Sequence, residues 1–158
     1  MQTTCYTYLE TPIGRLLLAG DDSALRRISF PEGKHTMQPA PDWQPDAQPL
    51  RDVARQLQAY FTGELRAFDL PLKMEGTPFQ RSVWRALQDI PYGETISYGE
   101  LARRVGTPKG ARAVGLANGS NPIPIVVPCH RVIGADGRLT GFGGGLKTKE
   151  MLLSLEKR

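Results

Sequence analysis

The sequence predicts a mixed α/β fold of the α+β kind, because strand-like runs lie at the start of the chain and helical patterns fill the rest. Residues 3–10, 14–20 and 24–30 each have the composition of a strand, and turn-forming residues at 12–14 and 21–23 separate them. From residue 50 onward, apolar residues recur at helical spacing. We therefore expect a β-meander followed by a largely helical part.

The composition is that of a folded globular protein. A chain of 158 residues can form one compact domain or two small subdomains, and 40% hydrophobic with 23% charged residues argues against disorder. The N-terminus lacks the basic start and apolar run of a signal peptide, and no segment is long enough to span a bilayer. We expect a cytoplasmic protein without membrane contact, in which both cysteines are free thiols.

Charge is distributed unevenly along the chain. Residues 1–72 carry 7 Lys/Arg against 9 Asp/Glu, whereas residues 73–158 carry 13 against 7. The basic second half favours a polyanionic partner, although a solvated surface of mixed sign would explain the same count.

Two amphipathic helices are predicted beyond the strands. Residues 31–49 contain five prolines and are predicted to form a surface loop. The first helix follows this loop, and the second begins at Thr77, where Pro78 and Gln80 complete a capping pattern. The predicted apolar faces are Leu50, Val53, Ala54, Leu57, Tyr60 and Phe61 in the first helix, and Phe79, Val83, Trp84, Leu87 and Ile90 in the second.

Residues 95–120 predict a helix-turn-helix. The first helix begins with a capping box formed by Ser97 and Glu100, Gly106 suits the turn, and Thr107 with Pro108 would cap the second helix. That second helix is thin, because its side chains are mostly small, and its long cations are Lys109 and Arg112. It could lie close to a phosphate backbone, or it could simply pack tightly against a neighbouring helix.

The stretch "NPIPIVVPCHRVIG" places Cys129 between Pro128 and His130, at the end of a run that predicts a buried strand. Four interpretations remain open from the residues: a core cysteine, a metal ligand, a redox thiol or a nucleophile. A metal site is disfavoured, because the chain has two cysteines and two histidines without paired ligand spacing. A nucleophile needs a base, and His130 would point to the opposite face of a regular strand unless the strand bends or a water relays the proton.

After this stretch the chain predicts a turn, a short strand, a glycine-rich loop and a final helix. The apolar side of that helix would comprise Leu146, Met151, Leu152 and Leu155.

The same stretch closely resembles the active-site signature of the methylated-DNA–protein-cysteine S-methyltransferases, the 6-O-alkylguanine-DNA alkyltransferases. The segments "TPFQRSVWRAL", "PYGETISYGELA", "PKGARAVGLAN" and "GGLKTKEMLLSLE" match in the same order. The resemblance is strong over residues 73–156 and looser before them. It implies a ribonuclease H-like domain over residues 1–72 and a winged-helix, DNA-binding domain over residues 73–158.

The resemblance also implies the chemistry. Cys129 would accept the alkyl group of 6-O-methylguanine, and 4-O-methylthymine would be a further substrate. His130 would deprotonate the thiol through a water and would be oriented by Glu156. Tyr98 would donate a proton or hydrogen bond to the leaving guanine, and Asn121 would stabilise the turn and the water network. The substrate pocket would comprise Val132, Phe142, Gly143 and Lys149, the last favouring the thiolate by its charge.

Duplex DNA containing an alkylated guanine is the implied partner, bound through its minor groove with the damaged nucleotide rotated out of the stack. Arg112 would fill the gap left by that nucleotide. The implied DNA-binding residues are Ser97, Thr107, Lys109, Ala111, Arg112 and Ala113. The protein would react once, as a monomer, with cooperative binding along DNA left open.

Two departures from the family pattern concern the pocket and a metal. Phe142 and Gly143 stand where many members have tyrosine followed by serine or alanine, which removes a hydroxyl and leaves room for bulkier alkyl groups. Some relatives hold a structural zinc, but Cys5 and His35 lack a ligand set here, so no metal or cofactor is expected. A non-catalytic lesion-binding relative is the main alternative, and a transcriptional regulator is a weaker one.

Overall fold

The computed structural model describes residues 3–33, 36–140, 142 and 144–157. Its N-terminal sheet has four strands in the order β3-β2-β1-β4. Strands β1 (Cys5–Thr11), β2 (Gly14–Gly20) and β3 (Leu25–Ser29) form the expected antiparallel meander, and β4 (Gln44–Pro45) pairs parallel with β1. The predicted loop over residues 31–49 therefore contains one short strand. Prolines keep it from forming a longer one.

Helix α1 (Arg51–Phe61) covers the sheet as its apolar spacing predicts. Leu50, Val53, Leu57 and Tyr60 are buried with Leu16 and Leu18 of the central strand in one hydrophobic cluster. Residues 16–20 of that strand are buried without interruption. The central strand is thus part of the hydrophobic core, and α1 packs against the sheet.

Helix α2 (Pro78–Leu87) begins with the predicted capping box. The Gln80 amide N–H donates to Thr77 Oγ1 over 3.1 Å, and the Thr77 N–H donates to Gln80 Oε1 over 2.9 Å. The helix buries Val83, Trp84 and Leu87, and the Trp84 indole N–H donates to the Ala117 carbonyl over 2.8 Å. This helix therefore anchors the helix-turn-helix beside it.

Helices α3 (Tyr98–Arg104) and α4 (Ala111–Gly119) form the helix-turn-helix, but its caps differ from the prediction. Ser97 accepts from the Glu100 N–H, whereas the Glu100 carboxylate binds Arg103 and Arg104 instead of completing a box. The second predicted cap is wrong. Residues 107–110 form a tight turn in which the Gly110 N–H donates to the Thr107 carbonyl over 2.7 Å, so α4 begins after Gly110.

The C-terminal end contains less strand than expected. Val132–Ile133 (β6) pairs parallel with Ile96–Ser97 (β5), and a turn at residues 134–138 follows. The short strand predicted after this turn is absent from the described residues. Helix α5 (Leu146–Glu156) buries Leu152, whereas Leu146 and Met151 are exposed, so half of its predicted apolar side faces solvent.

Thr77→Ala is expected to lower the free energy of unfolding by about 1 kcal/mol, because it removes the acceptor for the Gln80 N–H. Denaturant unfolding would measure the loss. Ser154→Ala, on the exposed side of α5, is the control and should change the same quantity by less than about 0.5 kcal/mol. Equal effects of the two substitutions would contradict a stabilising cap.

Candidate functional site

The segment that leads to Cys129 is a series of tight turns, so the predicted buried strand is wrong. Prolines at 122, 124 and 128 remove three backbone donors, which prevents a regular hydrogen-bonded ladder. The Val127 N–H instead donates to the Ile123 carbonyl over 3.0 Å. Ile125 is buried with a φ of 75°, a conformation that a β-branched residue adopts only when its surroundings hold it there.

Asn121 stabilises this turn at its start. Its side-chain amide donates to the Val127 carbonyl over 2.8 Å, and its Oδ1 accepts from the Ile123 N–H over 2.9 Å. The two bonds close the turn, whereas the role of Asn121 in a water network stays a prediction.

Cys129 begins a short 3-10 turn that continues through Arg131, and its side chain is buried. This bend, not a strand, sets the relation between the thiol and His130. Asn118 of α4 donates to the Cys129 carbonyl over 3.3 Å. A cavity beside the thiol is lined by Ser29, Phe30, Asn118, Asn121, Cys129 and Phe142, so both domains contribute to its wall.

His130 is fully buried and contacts Glu156, its Nε2 lying 2.6 Å from Glu156 Oε2. An ionised carboxylate only accepts, so Nε2 carries the proton and Nδ1 keeps a lone pair. Nδ1 has no hydrogen-bond partner among the described residues. Burial lowers the pKa of His130 although Glu156 opposes the shift, so the ring is a neutral base at neutral pH.

The Glu156 carboxylate is the most heavily hydrogen-bonded side chain of the site. Oε2 accepts from His130, from the Tyr60 hydroxyl over 2.5 Å and from Arg131 Nη2 over 3.0 Å. Oε1 accepts from Arg131 Nε over 2.7 Å and from the Gly93 N–H over 3.3 Å. Although burial opposes ionisation, these donors hold the pKa of Glu156 well below its ordinary value.

Lys149 is fully buried, and its ammonium donates to two backbone carbonyls. The acceptors are Val132, over 2.6 Å, and Thr140, over 2.9 Å. Burial lowers the pKa of Lys149 to about 8, against the attraction of the Cys129 sulfur. The pKa of Lys149 therefore lies close to physiological pH.

Burial raises the pKa of the Cys129 thiol to about 11, while the Asn121 side chain and the Lys149 charge oppose the shift. The resting thiol is therefore protonated at neutral pH. Nucleophilic use of this sulfur requires a base to remove its proton, and neutral His130 is the adjacent candidate.

Tyr98 lies at the start of α3, half-buried, with its hydroxyl donating to the Thr140 carbonyl over 3.2 Å. The Lys149 ammonium is 5.8 Å from its ring centroid. The buried Val132 and half-buried Phe142 are placed near these groups, since Lys149 binds the Val132 carbonyl and Phe142 lines the thiol cavity. Gly143 and His35 lie outside the described residues.

The exposed surface of α4 presents Ala111, Arg112, Ala113 and Leu116, and the last of these is 71% exposed. Lys109 is exposed in the preceding turn. Ser97 is occupied as the cap of α3, and the Thr107 hydroxyl oxygen is buried without a hydrogen-bond partner in the described part of the chain. Of the six predicted DNA-binding residues, Thr107 is therefore the least available through its hydroxyl.

Three residues have a role in the site that the sequence does not predict. Tyr60 falls on the apolar stripe of α1, which predicts a core residue, and nothing local marks its hydroxyl. Arg131 follows the histidine and predicts only positive charge near the thiol, not a contact with Glu156. Asn118 could have been found, because it lies four residues after Val114 on the buried face of α4, where a polar side chain requires a partner.

Within the described ranges, no cluster of three or more His, Cys, Asp or Glu is placed to hold a metal ion. Nor does any helix there have the length and apolar character needed to cross a membrane.

Comparison with known proteins assigns each half of the chain to a domain class. Residues 78–158 match the 6-O-methylguanine DNA methyltransferase, DNA binding domain, and residues 4–74 match the 6-O-methylguanine DNA methyltransferase, ribonuclease-like domain. The chain belongs to the 6-O-methylguanine DNA methyltransferase family. The predicted family and two-part fold are confirmed, whereas the division after residue 72 stays a prediction.

Individual relatives match this chain along nearly its whole length. The methylated-DNA–protein-cysteine methyltransferase of Methanosarcina acetivorans is 55% identical over 96% of this chain and 97% of its own length. The protein of the same name from Mycolicibacterium paratuberculosis is 54% identical over 97% and 92%. Among solved structures, Mycobacterium tuberculosis OGT in complex with DNA superposes with a TM-score of 0.91, at 53% identity over 97% of this chain and 92% of that one.

Lys149→Met is expected to slow modification of Cys129 by iodoacetamide at pH 7 by roughly three- to tenfold, because removing the cation raises the thiol pKa further. The lysine loses its proton as the pH rises through about 8, so the difference should fade above pH 9.

Mass spectrometry of the Cys129 peptide across this pH range would measure the rates. Lys147→Met, an exposed lysine two residues earlier on α5, is the control and should leave the rate unchanged. Equal rates for Lys149→Met and the unaltered protein at pH 7 would contradict an electrostatic role.

Proposed function

We propose that the protein repairs duplex DNA by moving the alkyl group of 6-O-methylguanine irreversibly to Cys129, and that 4-O-methylthymine is a further substrate. The observation that carries the proposal is the arrangement around the thiol. A buried sulfur lines a cavity, and the next residue in the chain is a histidine whose Nε2 is held by a carboxylate and whose Nδ1 has no hydrogen-bond partner among the described residues.

DNA docking is assigned to the exposed face of α4. Its small side chains allow a close approach to the backbone, and the excess of cations in residues 73–158 favours a polyanion. A thiol buried behind this helix cannot reach a base inside an intact duplex, so the damaged nucleotide must leave the stack. Arg112 is exposed on the same face, where its long side chain would occupy the vacated position.

Activation of the thiol follows from the position of the histidine. His130 Nδ1 takes the Cys129 proton through a water, and Glu156 stabilises the imidazolium that forms, because its carboxylate already holds Nε2. A water relay suits side chains that are adjacent in sequence and do not bond directly. Lys149 adds positive charge next to the sulfur as the thiolate develops.

The transfer is an in-line displacement. The sulfur forms a bond to the alkyl carbon as the bond from that carbon to guanine O6 breaks, and the electron pair of the broken bond stays with guanine. Tyr98 donates a proton or hydrogen bond to the base, so that the leaving group need not carry a full negative charge. The same displacement applies to 4-O-methylthymine, because it too carries a methyl ether on an aromatic ring.

The product is a thioether, which water does not cleave, so each chain reacts once. We expect a monomer to suffice, because all the proposed reacting groups come from one chain. The cytoplasmic location remains an expectation from the sequence.

Incubation with a duplex oligonucleotide containing one 6-O-methylguanine is expected to add one methyl group to Cys129 and no more than one per chain. Peptide mass spectrometry would locate it. An unmodified guanine duplex is the substrate control, and Cys129→Ser should abolish the transfer while Cys5→Ser leaves it intact. DNA binding without modification of Cys129 would overturn the proposal in favour of a non-catalytic lesion-binding protein.

Arg112→Ala is expected to slow repair of the duplex by roughly tenfold or more, because the unstacked state loses its substitute for the displaced base. Reaction with free 6-O-methylguanine base, which needs no unstacking, should change little. Single-turnover rates on both substrates would be compared, with Arg55→Ala on α1 as the control. Equal losses on both substrates would contradict this role for Arg112.

A further inference from the structure

Tyr60 belongs to α1 of the N-terminal domain, yet its hydroxyl ends at the catalytic carboxylate. The side chain is fully buried, and the hydroxyl donates to Glu156 Oε2 over 2.5 Å. This is the oxygen that also accepts from His130. One domain therefore supplies a hydrogen-bond donor to the proton-transfer pair of the other.

Packing explains the ring of Tyr60 but not its hydroxyl. The ring contacts Phe61, Phe68 and Tyr92, with centroids 5.3, 5.4 and 6.2 Å away. A phenylalanine would make the same ring contacts without placing a polar atom in the core. The hydroxyl is instead one of the donors that replace hydration around the buried Glu156 charge, and it shares its acceptor oxygen with His130.

Three donors share Glu156 Oε2 as their acceptor, so the Tyr60 hydroxyl affects the strength of the other two hydrogen bonds. His130 Nε2, Tyr60 Oη and Arg131 Nη2 lie 2.6, 2.5 and 3.0 Å from that oxygen. An ionised carboxylate has about four lone-pair sites on its two oxygens, so three donors on one oxygen compete for about two. A stronger bond from Tyr60 therefore leaves a weaker bond for His130.

We propose that Tyr60 is a positioning residue that acts through Glu156: its hydroxyl limits how strongly the carboxylate holds the His130 proton, and so keeps the imidazole neutral and able to accept the thiol proton. The functional part of this inference rests on the proposed role of His130 as the base. The hydrogen-bond competition itself does not depend on that role.

Other charged and titratable groups surround the pair. Arg131 and Lys149 are cations that disfavour a protonated His130, and Glu156 favours it. Around Tyr60 stand Glu156, Arg131 and Tyr92, and burial together with the Glu156 charge raises the pKa of Tyr60 far above its ordinary value. Tyr60 is consequently a permanent donor at all pH values at which the protein would work.

Tyr60→Phe tests the proposal because it removes only the hydroxyl. Tyr92→Phe is the matched control: its ring neighbours the same cluster, but its hydroxyl reaches the Leu155 carbonyl, 3.5 Å away, instead of the Glu156 carboxylate. The chain has only two histidines, so ¹⁵N-labelled histidine gives a simple spectrum, and His35→Gln assigns the signal of His130.

At neutral pH the His130 Nε2–H proton resonance is expected to move downfield in Tyr60→Phe, because the bond to Glu156 strengthens once a competing donor is gone. Tyr92→Phe should leave it in place. A resonance that stays in place or moves upfield in Tyr60→Phe, in protein whose circular dichroism remains native, would overturn the proposal. This measurement needs no substrate, so it is decisive even if methyl transfer is not found.

The single-turnover rate of methyl transfer provides the functional readout. In Tyr60→Phe the stronger bond between Glu156 and His130 raises the pKa of His130, so the acid limb of the pH–rate profile should move to higher pH. The rate should fall severalfold near pH 6, and this loss should shrink or reverse near pH 8.5. A purely structural role would lower the rate by the same factor at every pH, and that result would overturn the proposal.

Discussion

The structure depends on one buried negative charge, the carboxylate of Glu156. An ionised carboxylate inside a protein is stable only when donors and cations replace its hydration, and removing one partner of such a cluster leaves an uncompensated charge. Here the donors come from α1, from the segment before β5 and from the 3-10 turn that holds the thiol. The hydrogen bonds to this carboxylate therefore join the last helix, the 3-10 turn and the N-terminal domain to one another.

Arg131 links this charge to the rest of the core. Its guanidinium binds both Glu156 oxygens and also donates to the Ile90 carbonyl over 2.6 Å. The same arginine lies 5.7 Å from the Tyr92 ring centroid. A fork-shaped cation can make these contacts simultaneously, whereas a lysine could not. Arg131 thus orients the Glu156 carboxylate, which in turn binds His130.

The electrostatics of the thiol favour a protonated, unreactive sulfur at rest. With its pKa raised to about 11, Cys129 is protonated at rest and resists chance electrophiles and oxidants, which react with thiolates. Lys149, with a pKa of about 8, opposes this shift by its charge, and His130 is neutral because burial lowers its pKa. Under the proposed mechanism, the sulfur becomes nucleophilic only when its proton passes to the histidine.

Some local features were predictable from the sequence, others were misjudged where two local signals compete, and a contact between distant segments left no local signal. The cap at Thr77 is correct because both of its bonds lie within one helical turn. The strand before Cys129 is wrong because apolar content outweighed the prolines, and α4 begins later than Thr107 suggested because residues 107–110 close on themselves. Tyr60 could not be found at all, since its partner lies 96 residues away.

The N-terminal domain also forms part of the wall of the thiol cavity. The turns before Cys129 lack a hydrogen-bonded ladder of their own, and the edge strand β3 supplies a donor where the Ile28 N–H binds the Pro122 carbonyl over 3.0 Å. At the end of β3, the centroids of the Phe30 and Phe142 rings lie 5.5 Å apart. A Cβ added at Gly144 would lie 2.7 Å from the Phe30 ring. The sheet thus contacts the irregular segment and forms part of the cavity wall.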